Sequence, residues 1–289
     1  MGWRTRRCHT ARVPPLAASA DTSWSLAPGP IVICLALTYL YVARWRKVRR
    51  AKGGGPHGAP VERLLAFLGG VLCLAIALIS PIDTLADQVF GMHMIQHVLL
   101  LDLAPILLIA GLTKVLLRPI ARPVLDLERA LGPLAHPVFA VAFYVAVMWL
   151  WHVPALYDAA LNHGSVHVLE HTFFLSAGLL YWWHLLSPVR GRHLTGLSPV
   201  VYMAATKVFV GLLGIFLTFA PNALYAFYEH GPRIWGLSPE DDQALAGAIM
   251  AIEQSIVMGI ALAYLFVRAL AESDRDDERA ERIESLRTG

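Results

Sequence analysis

The sequence predicts an all-α fold, a polytopic membrane bundle of about seven transmembrane helices. Only 16% of the 289 residues are charged and 56% are hydrophobic, whereas a soluble domain carries about 25% charged residues. The uncharged residues form long runs, and a membrane-spanning helix needs about 20 largely apolar residues. A net charge of +3 is too small to indicate a nucleic-acid-binding protein.

Seven apolar segments account for the predicted helices, at residues 30–44, 62–80, 90–112, 136–151, 167–186, 200–220 and 243–267. Pro81, Pro154, Pro188 and Pro221 follow the ends of four of these segments, as expected where helices stop. The connections are short, so neighbouring helices should be antiparallel. We therefore predict an irregular N-terminal tail over 1–29, a transmembrane domain over 30–267 and a charged cytoplasmic tail over 268–289.

Basic residues predict the orientation of the bundle, because cytoplasmic loops are enriched in Lys and Arg. The loops after the first, third and fifth spans carry them: Arg44, Arg46, Lys47, Arg49, Arg50 and Lys52, then Lys114, Arg118, Arg122 and Arg129, then Arg190 and Arg192. Residues 80–88 and 152–164 contain no Lys or Arg. This asymmetry predicts an outer N-terminus and a cytoplasmic C-terminus.

Two histidine pairs lie at matching depth in two predicted spans. His93 and His97 are four residues apart near the outer end of the third span, and His167 and His171 repeat this spacing in the fifth. Residues i and i+4 lie on one face of a helix, so both rings of a pair can face one ion. Neutral imidazole suits copper, zinc or iron. The pattern predicts a metal or haem site at the outer end.

Further candidate ligands lie close to these pairs. His152 closes the fourth span at its outer end and is the next candidate ligand. Met92 and Met94 flank His93, and thioethers are soft ligands that favour Cu(I). Each of these residues taken alone is also typical of packing or of a wet membrane boundary.

Four acidic residues are candidates for orienting the rings or handling protons. Asp83 lies in the loop before the third span, and Glu170 lies in the first turn of the fifth; such groups often hold ligand rings in place. Asp102 and Glu253 lie within predicted spans, where a charge costs about 2.5–3.5 kcal/mol and marks a functional position by default. Alternatively, Lys207 in the sixth span forms an ion pair with one of them.

The residues His167, Glu170 and His171 also match the H-x-x-E-H pattern of inverted zinc proteases, in which the glutamate activates a zinc-bound water. Such an intramembrane metallohydrolase would need a third ligand and a substrate cleft, which the sequence does not define. No side chain makes a convincing nucleophile. We therefore expect a protein that is not an enzyme.

Short motifs keep a characteristic order along the chain. They are SPID at 80–83, MHMIQH at 92–97, Ala-Pro at 104–105, WHVPALY at 151–157, Glu-His at 170–171, Trp-Trp at 182–183, PNALY at 221–225 and the DQ…AG start of the last span at 242–247. In this order they resemble the multi-spanning CtaG family of cytochrome c oxidase assembly factors, over residues 31–267. His184 departs from the family pattern, in which proline follows the two tryptophans.

The resemblance implies an assembly factor for a haem-copper cytochrome c oxidase in the cell membrane of a bacterium. The partners it implies are the lipid bilayer, oxidase subunits and a copper chaperone. Together with the outward histidines, it makes copper the expected metal, bound or delivered at the outer membrane face. Haem and zinc are the alternatives. A haem-binding electron-transfer protein would place one histidine from each of two helices on opposite sides of a porphyrin.

Overall fold

The computed structural model describes residues 18–51, 58–189, 194 and 196–288. Residues 1–17 of the predicted N-terminal tail lie outside these ranges, as do the predicted loop cations Lys52, Arg190 and Arg192. Within them the chain is helical apart from its connections and one isolated bridge between Ala18 and Ile234. The all-α fold predicted from the sequence is confirmed.

The helices are α1 (Pro28–Arg50), α2 (Val61–Leu78), α3 (Pro81–Ala86), α4 (Phe90–Val98), α5 (Ala104–Ala110), α6 (Lys114–Leu117), α7 (Ala121–Leu131), α8 (Pro137–Trp151), α9 (Pro154–Asn162), α10 (Gly164–Leu186), α11 (Ser198–Phe219), α12 (Ala226–His230) and α13 (Pro239–Thr288). A π-helical turn (Leu99–Leu103) joins α4 to α5, and a 3-10 turn (Gly132–Ala135) joins α7 to α8. The last helix continues through the predicted charged tail to Thr288.

Each predicted span coincides with helical chain. By length and hydropathy, five segments of the described ranges can cross a membrane: Pro28–Arg50, Val61–Leu78, Phe90–Ala110, Ser198–Phe219 and Pro239–Val267. A sixth results if Ala121–Ala135 and Pro137–Trp151, which meet at 66°, form one span. The predicted fifth span, α10, has 23 residues, but its histidines and Glu170 lower its hydropathy. The protein is a polytopic membrane bundle, and its orientation stays a prediction.

The outward faces of the long helices are apolar, as a bilayer requires. Leu35 on α1, Phe216 on α11 and Ile260 on α13 are 66%, 53% and 68% exposed. Large apolar surfaces of this kind are rare on soluble monomers and indicate contact with lipid or with another protein. Most of the polar candidate residues, among them His93, Asp102 and Glu170, are buried inside the bundle instead.

The third predicted span is not one regular helix, although the sequence predicts a single helix over 90–112. Pro105 has no backbone N–H, so the carbonyl of Leu101 loses its usual partner four residues later. The helix widens here into the π-helical turn, in which the Ala104 N–H donates to the carbonyl oxygen of Leu99, five residues earlier in the chain. Gly178 on α10 packs against this turn so closely that a Cβ there would lie 2.0 Å from the Leu101 oxygen. The break and the neighbouring helix therefore fit each other.

Glycines also set the distance between α11 and α13. A Cβ on Gly247 would lie 2.7 Å from the Gly214 carbonyl oxygen and 2.5 Å from the Thr218 nitrogen. Small residues allow such close backbone approach between membrane helices. The contact holds the start of α13 against the bundle, where Asp242 reaches α4.

The start of α4 is capped by this distant residue. Asp242 accepts hydrogen bonds from the backbone N–H groups of Phe90 (2.7 Å) and Gly91 (2.9 Å). The first N–H groups of a helix have no partner within the helix, and a carboxylate there satisfies them. The last span thereby fixes the helix that carries His93 and His97.

Candidate metal centre

The two predicted histidine pairs meet inside the bundle. His93 and His97 lie one turn apart on α4, and His167 and His171 lie one turn apart near the start of α10. His93 is in ring contact with both α10 histidines, at centroid distances of 5.4 Å to His167 and 6.3 Å to His171. The rings of the two pairs thus face each other, and their role as metal ligands stays a prediction.

Glu170 completes the cluster from the same face of α10. Its Oε2 lies 3.7 Å from His93 Nε2, and its Oε1 lies 3.6 Å from His97 Nε2. The two Nε2 atoms are 2.9 Å apart. One ligand atom from each of His93, His167, Glu170 and His171 lies within 4.8 Å of the others. Two atoms bound to one ion are at most about 4 Å apart, given bonds of about 2.0 Å, so only a small contraction is needed.

The cluster is buried and short of hydrogen bonds. His93 and Glu170 are fully buried, and His97 is 3% exposed. Both carboxylate oxygens of Glu170, and Nε2 of His167 and of His171, have no hydrogen-bond partner among the described residues. Buried polar groups normally find partners, and a buried charge is normally paired or binds a metal. These unpaired atoms fit the requirements of a metal ion.

Aromatic side chains enclose the histidines. The His97 ring stacks on Phe174 at 3.9 Å, and the His93 ring lies 5.1 Å from Tyr157. Neither aromatic residue was a candidate for the site from the sequence, although Tyr157 ends the WHVPALY motif. Phe174 follows Glu170 by four positions and His171 by three, so the shared helix face was a usable signal. Tyr157 comes from α9, and only the packing of that helix brings it to the site.

His152 lies beside the cluster, with a different set of contacts. Its ring is 6.2 Å from that of His97 between centroids. Its Nδ1 lies 2.6 Å from the Met148 carbonyl oxygen, and its Nε2 lies 3.4 Å from the sulfur of Met94. The two candidate soft ligands thus differ: Met94 is buried against His152, whereas Met92 is only half-buried.

The predicted acidic partners occupy two different places. Asp83 accepts a hydrogen bond from Gln96 Nε2 at 2.7 Å, so its recorded partner is an amide next to the site. Asp102, on the π-helical turn, accepts from Tyr144 at 2.8 Å and from Trp182 at 2.7 Å. Asp102 is therefore held by hydrogen bonds, deeper in the bundle than the histidine cluster.

Glu253 belongs to the deeper group as well. It accepts from Gln254 Nε2 at 2.7 Å, and its second oxygen has no hydrogen-bond partner among the described residues. No salt bridge within 4.0 Å joins Lys207 to Asp102 or Glu253 in the described part of the chain. Asp102 and Glu253 line a narrow cavity together with His97, Met94 and Met148. The deeper acids and the histidine site thus share one internal space.

A wider cavity of about 400 Å³ opens at the same end of the bundle as the histidines. Asp87, Asp158, Asn162 and His230 are among its lining residues. Burial raises the pKa of Asp87, and the nearby His167 acts in the opposite direction. Asp87 therefore lines this cavity and also interacts electrostatically with His167 of the histidine cluster.

The fold and the site define a polytopic membrane protein with a buried cluster of metal-ligating side chains. Residues 39–272 match the family described as cytochrome c oxidase caa3 assembly factor, Caa3_CtaG. The match covers most of the chain, so the protein belongs to this family. The resemblance noted in the sequence is confirmed.

Curated relatives come from mycobacteria. An uncharacterized protein of Mycobacterium leprae is 26% identical over 285 residues, which cover 92% of this chain and 42% of the relative. Uncharacterized proteins of Mycobacterium bovis and Mycobacterium tuberculosis are each 27% identical over 255 residues, covering 82% of this chain and 38% of the relative. The chain therefore spans about two fifths of the length of these relatives. No solved structure matches it.

Proposed function

We propose that this protein binds copper in the cluster of His93, His97, His167 and His171, and that it serves the maturation of a haem-copper oxidase. The family is described as an oxidase assembly factor. The observation that carries the copper proposal is Glu170, a buried carboxylate that faces imidazoles and receives no hydrogen bond within the described part of the chain. A cation bound by those imidazoles would balance its charge.

The ligand set suits a transfer role. Imidazole and carboxylate donors bind copper and other first-row metals, and the choice among them depends on geometry and supply. In this proposal the ion enters from the end of the bundle where Asp87 lines the wider cavity. In this proposal the partners are oxidase subunits, a copper chaperone that supplies the ion and the lipid of a bacterial cell membrane. The protein handles the ion without catalysing a reaction.

The ring spacing favours an ion over a porphyrin. The His93 ring centroid lies 4.3 Å from that of His97 and 5.4 Å from that of His167. Haem ligation by two helices would place a macrocycle between the rings, and rings this close leave no space for one. A Soret band in the purified protein would support the haem alternative.

The test is the copper content of the full-length protein in detergent. We expect the double substitution His93→Gln with His97→Gln to lower copper affinity by more than about 100-fold, since even outer partners of metal ligands contribute about 10–100-fold. The matched control is His163→Gln, because His163 is exposed at the same end and its ring donates to the carbonyl of Ala159 on its own side of the bundle, away from the cluster. Unchanged stoichiometric copper in the double variant would refute the ligand assignment.

A further inference from the structure

The ring of His152 is held in one tautomer by its own helix. Its Nδ1 lies 2.6 Å from the Met148 carbonyl oxygen. A carbonyl oxygen only accepts hydrogen bonds, so Nδ1 carries the proton and donates it. In the neutral ring, Nε2 is then a bare lone pair.

That lone pair points at a second atom that has no hydrogen. His152 Nε2 lies 3.4 Å from the Met94 sulfur, and a thioether is only a weak acceptor. The other tautomer would place an Nδ1 lone pair against the Met148 oxygen, which is no better. A doubly protonated ring would satisfy both contacts, but His152 is only 6% exposed and a buried charge is costly. A bound cation would resolve the conflict.

The separation of the two atoms suits one metal ion. With a metal–sulfur bond of about 2.3 Å and a metal–nitrogen bond of about 2.0 Å, a 3.4 Å separation corresponds to an angle of about 105° at the ion. This value is close to a tetrahedral angle. The two atoms already have the separation that a shared ion requires, and the His152 ring would turn so that its Nε2 lone pair faces the ion and not the sulfur.

The donor types select a soft monovalent ion. Thioether sulfur favours Cu(I), and neither Met94 nor His152 brings negative charge to the contact. The imidazole and carboxylate cluster around Glu170 differs, because its anionic oxygens suit a divalent ion. His97 lies between the two, with its Nε2 near Glu170 and its ring beside His152.

We propose that Met94 and His152 form a separate Cu(I) site next to the histidine and glutamate cluster. His97 and Met148 line the narrow cavity with Met94 and are groups able to complete the coordination. This inference rests on the proposed function only in taking copper as the metal. It adds an oxidation state and a second position through which the ion passes.

The experiment uses Ag(I) as a redox-inert substitute for Cu(I), and Zn(II) as a probe of the Glu170 cluster. Both ions are titrated into the full-length protein in detergent. We expect Met94→Leu to weaken Ag(I) binding at least tenfold and to leave Zn(II) binding unchanged. Met92→Leu is the matched control and should change neither. Wild-type Ag(I) affinity in Met94→Leu would overturn the proposal.

A second measurement needs no variant. X-ray absorption at the copper edge of wild-type protein loaded anaerobically with Cu(I) should show sulfur scattering at about 2.3 Å. A shell of nitrogen and oxygen alone would overturn the assignment. If wild-type protein binds Ag(I) but does not bind Zn(II), the Glu170 cluster is refuted and the Met94 and His152 site still stands, so the two proposals fail separately.

Discussion

Glu170 has the most demanding environment of any single residue in the site. Its side chain is fully buried, faces His93 and His97 at 3.6–3.7 Å and receives no hydrogen bond from the described residues. Removing a carboxylate from water costs free energy unless a proton or a cation compensates it. The metal-free site should therefore be less stable than the same site with a neutral side chain.

Glu170→Gln should have opposite effects on stability with and without metal. The metal-free variant should melt at a higher temperature than wild type, because an amide neither carries a charge nor has to take up a proton when it is buried. Metal affinity should fall by about tenfold or more, in the range seen when groups around a metal are removed, so metal should raise the melting temperature less. Thermal unfolding in detergent, with and without Cu(II), measures both effects.

The same variant distinguishes the metallohydrolase alternative. If Glu170 activates a bound water, then Glu170→Gln keeps its metal and its metal-dependent stabilisation while losing cleavage of a substrate. Glu229→Gln is the matched control, since Glu229 is exposed on α12 at the same end. Retention of full metal stabilisation in Glu170→Gln would exclude the carboxylate as a ligand.

The contact between α10 and the π-helical turn is the critical feature at the scale of whole helices. We predict that Gly178→Ala is destabilising by about 1–3 kcal/mol, as for other overpacked positions, because the new methyl group would lie 2.0 Å from the Leu101 oxygen. Separation of the two helices would also move Glu170 away from His93 and His97. Both melting temperature and metal affinity should fall.

The matched control for this substitution is Gly211→Ala. Gly211 lies within α11, and a Cβ there would meet nothing within 4 Å. Alanine is a better helix former than glycine by up to about 1 kcal/mol, so this variant should be neutral or slightly stabilised. Equal melting temperatures for the two alanine variants would contradict the importance of the contact.

Helix positions could be predicted from the sequence, but the break in the third span could not. Apolar runs and prolines located all seven helical segments, although the first helix ends six residues and the last helix 21 residues beyond its predicted end. Pro105 was visible, yet a proline can bend, break or widen a helix. The outcome depends on Gly178, 73 positions later in the chain. Local sequence does not reveal which neighbouring residue packs against the Leu101 carbonyl that has lost its hydrogen bond.

The same limit applies to the site. The i and i+4 spacing predicted that each histidine pair faces one way, and the structure brings the pairs together. Glu170 was assigned to orienting the rings, although its spacing from His167 already placed it on the ligand face. The contact between Met94 and His152 joins two different spans. No pattern within either span could have predicted it.

At the scale of the whole molecule, the proposed role in delivering copper at the outer membrane face requires that the histidine end of the bundle faces outward. The basic residues Lys114, Arg118, Arg122 and Arg129 lie around α6 and α7, at the opposite end from the histidines. Cytoplasmic ends of membrane proteins are enriched in such residues. We therefore predict that His230 is accessible from outside the cell and that Asp126 is not.

Cysteine labelling tests this orientation in a background without Cys8, Cys34 and Cys73. His230→Cys and Asp126→Cys both place the thiol at an exposed position. A membrane-impermeant maleimide added to intact cells should label position 230 alone, and cell lysis should make position 126 reactive. The reverse pattern would place the histidine cluster at the cytoplasmic end. The protein would then meet copper before it crosses the membrane, and an oxidase copper centre near the outer surface would be out of its reach.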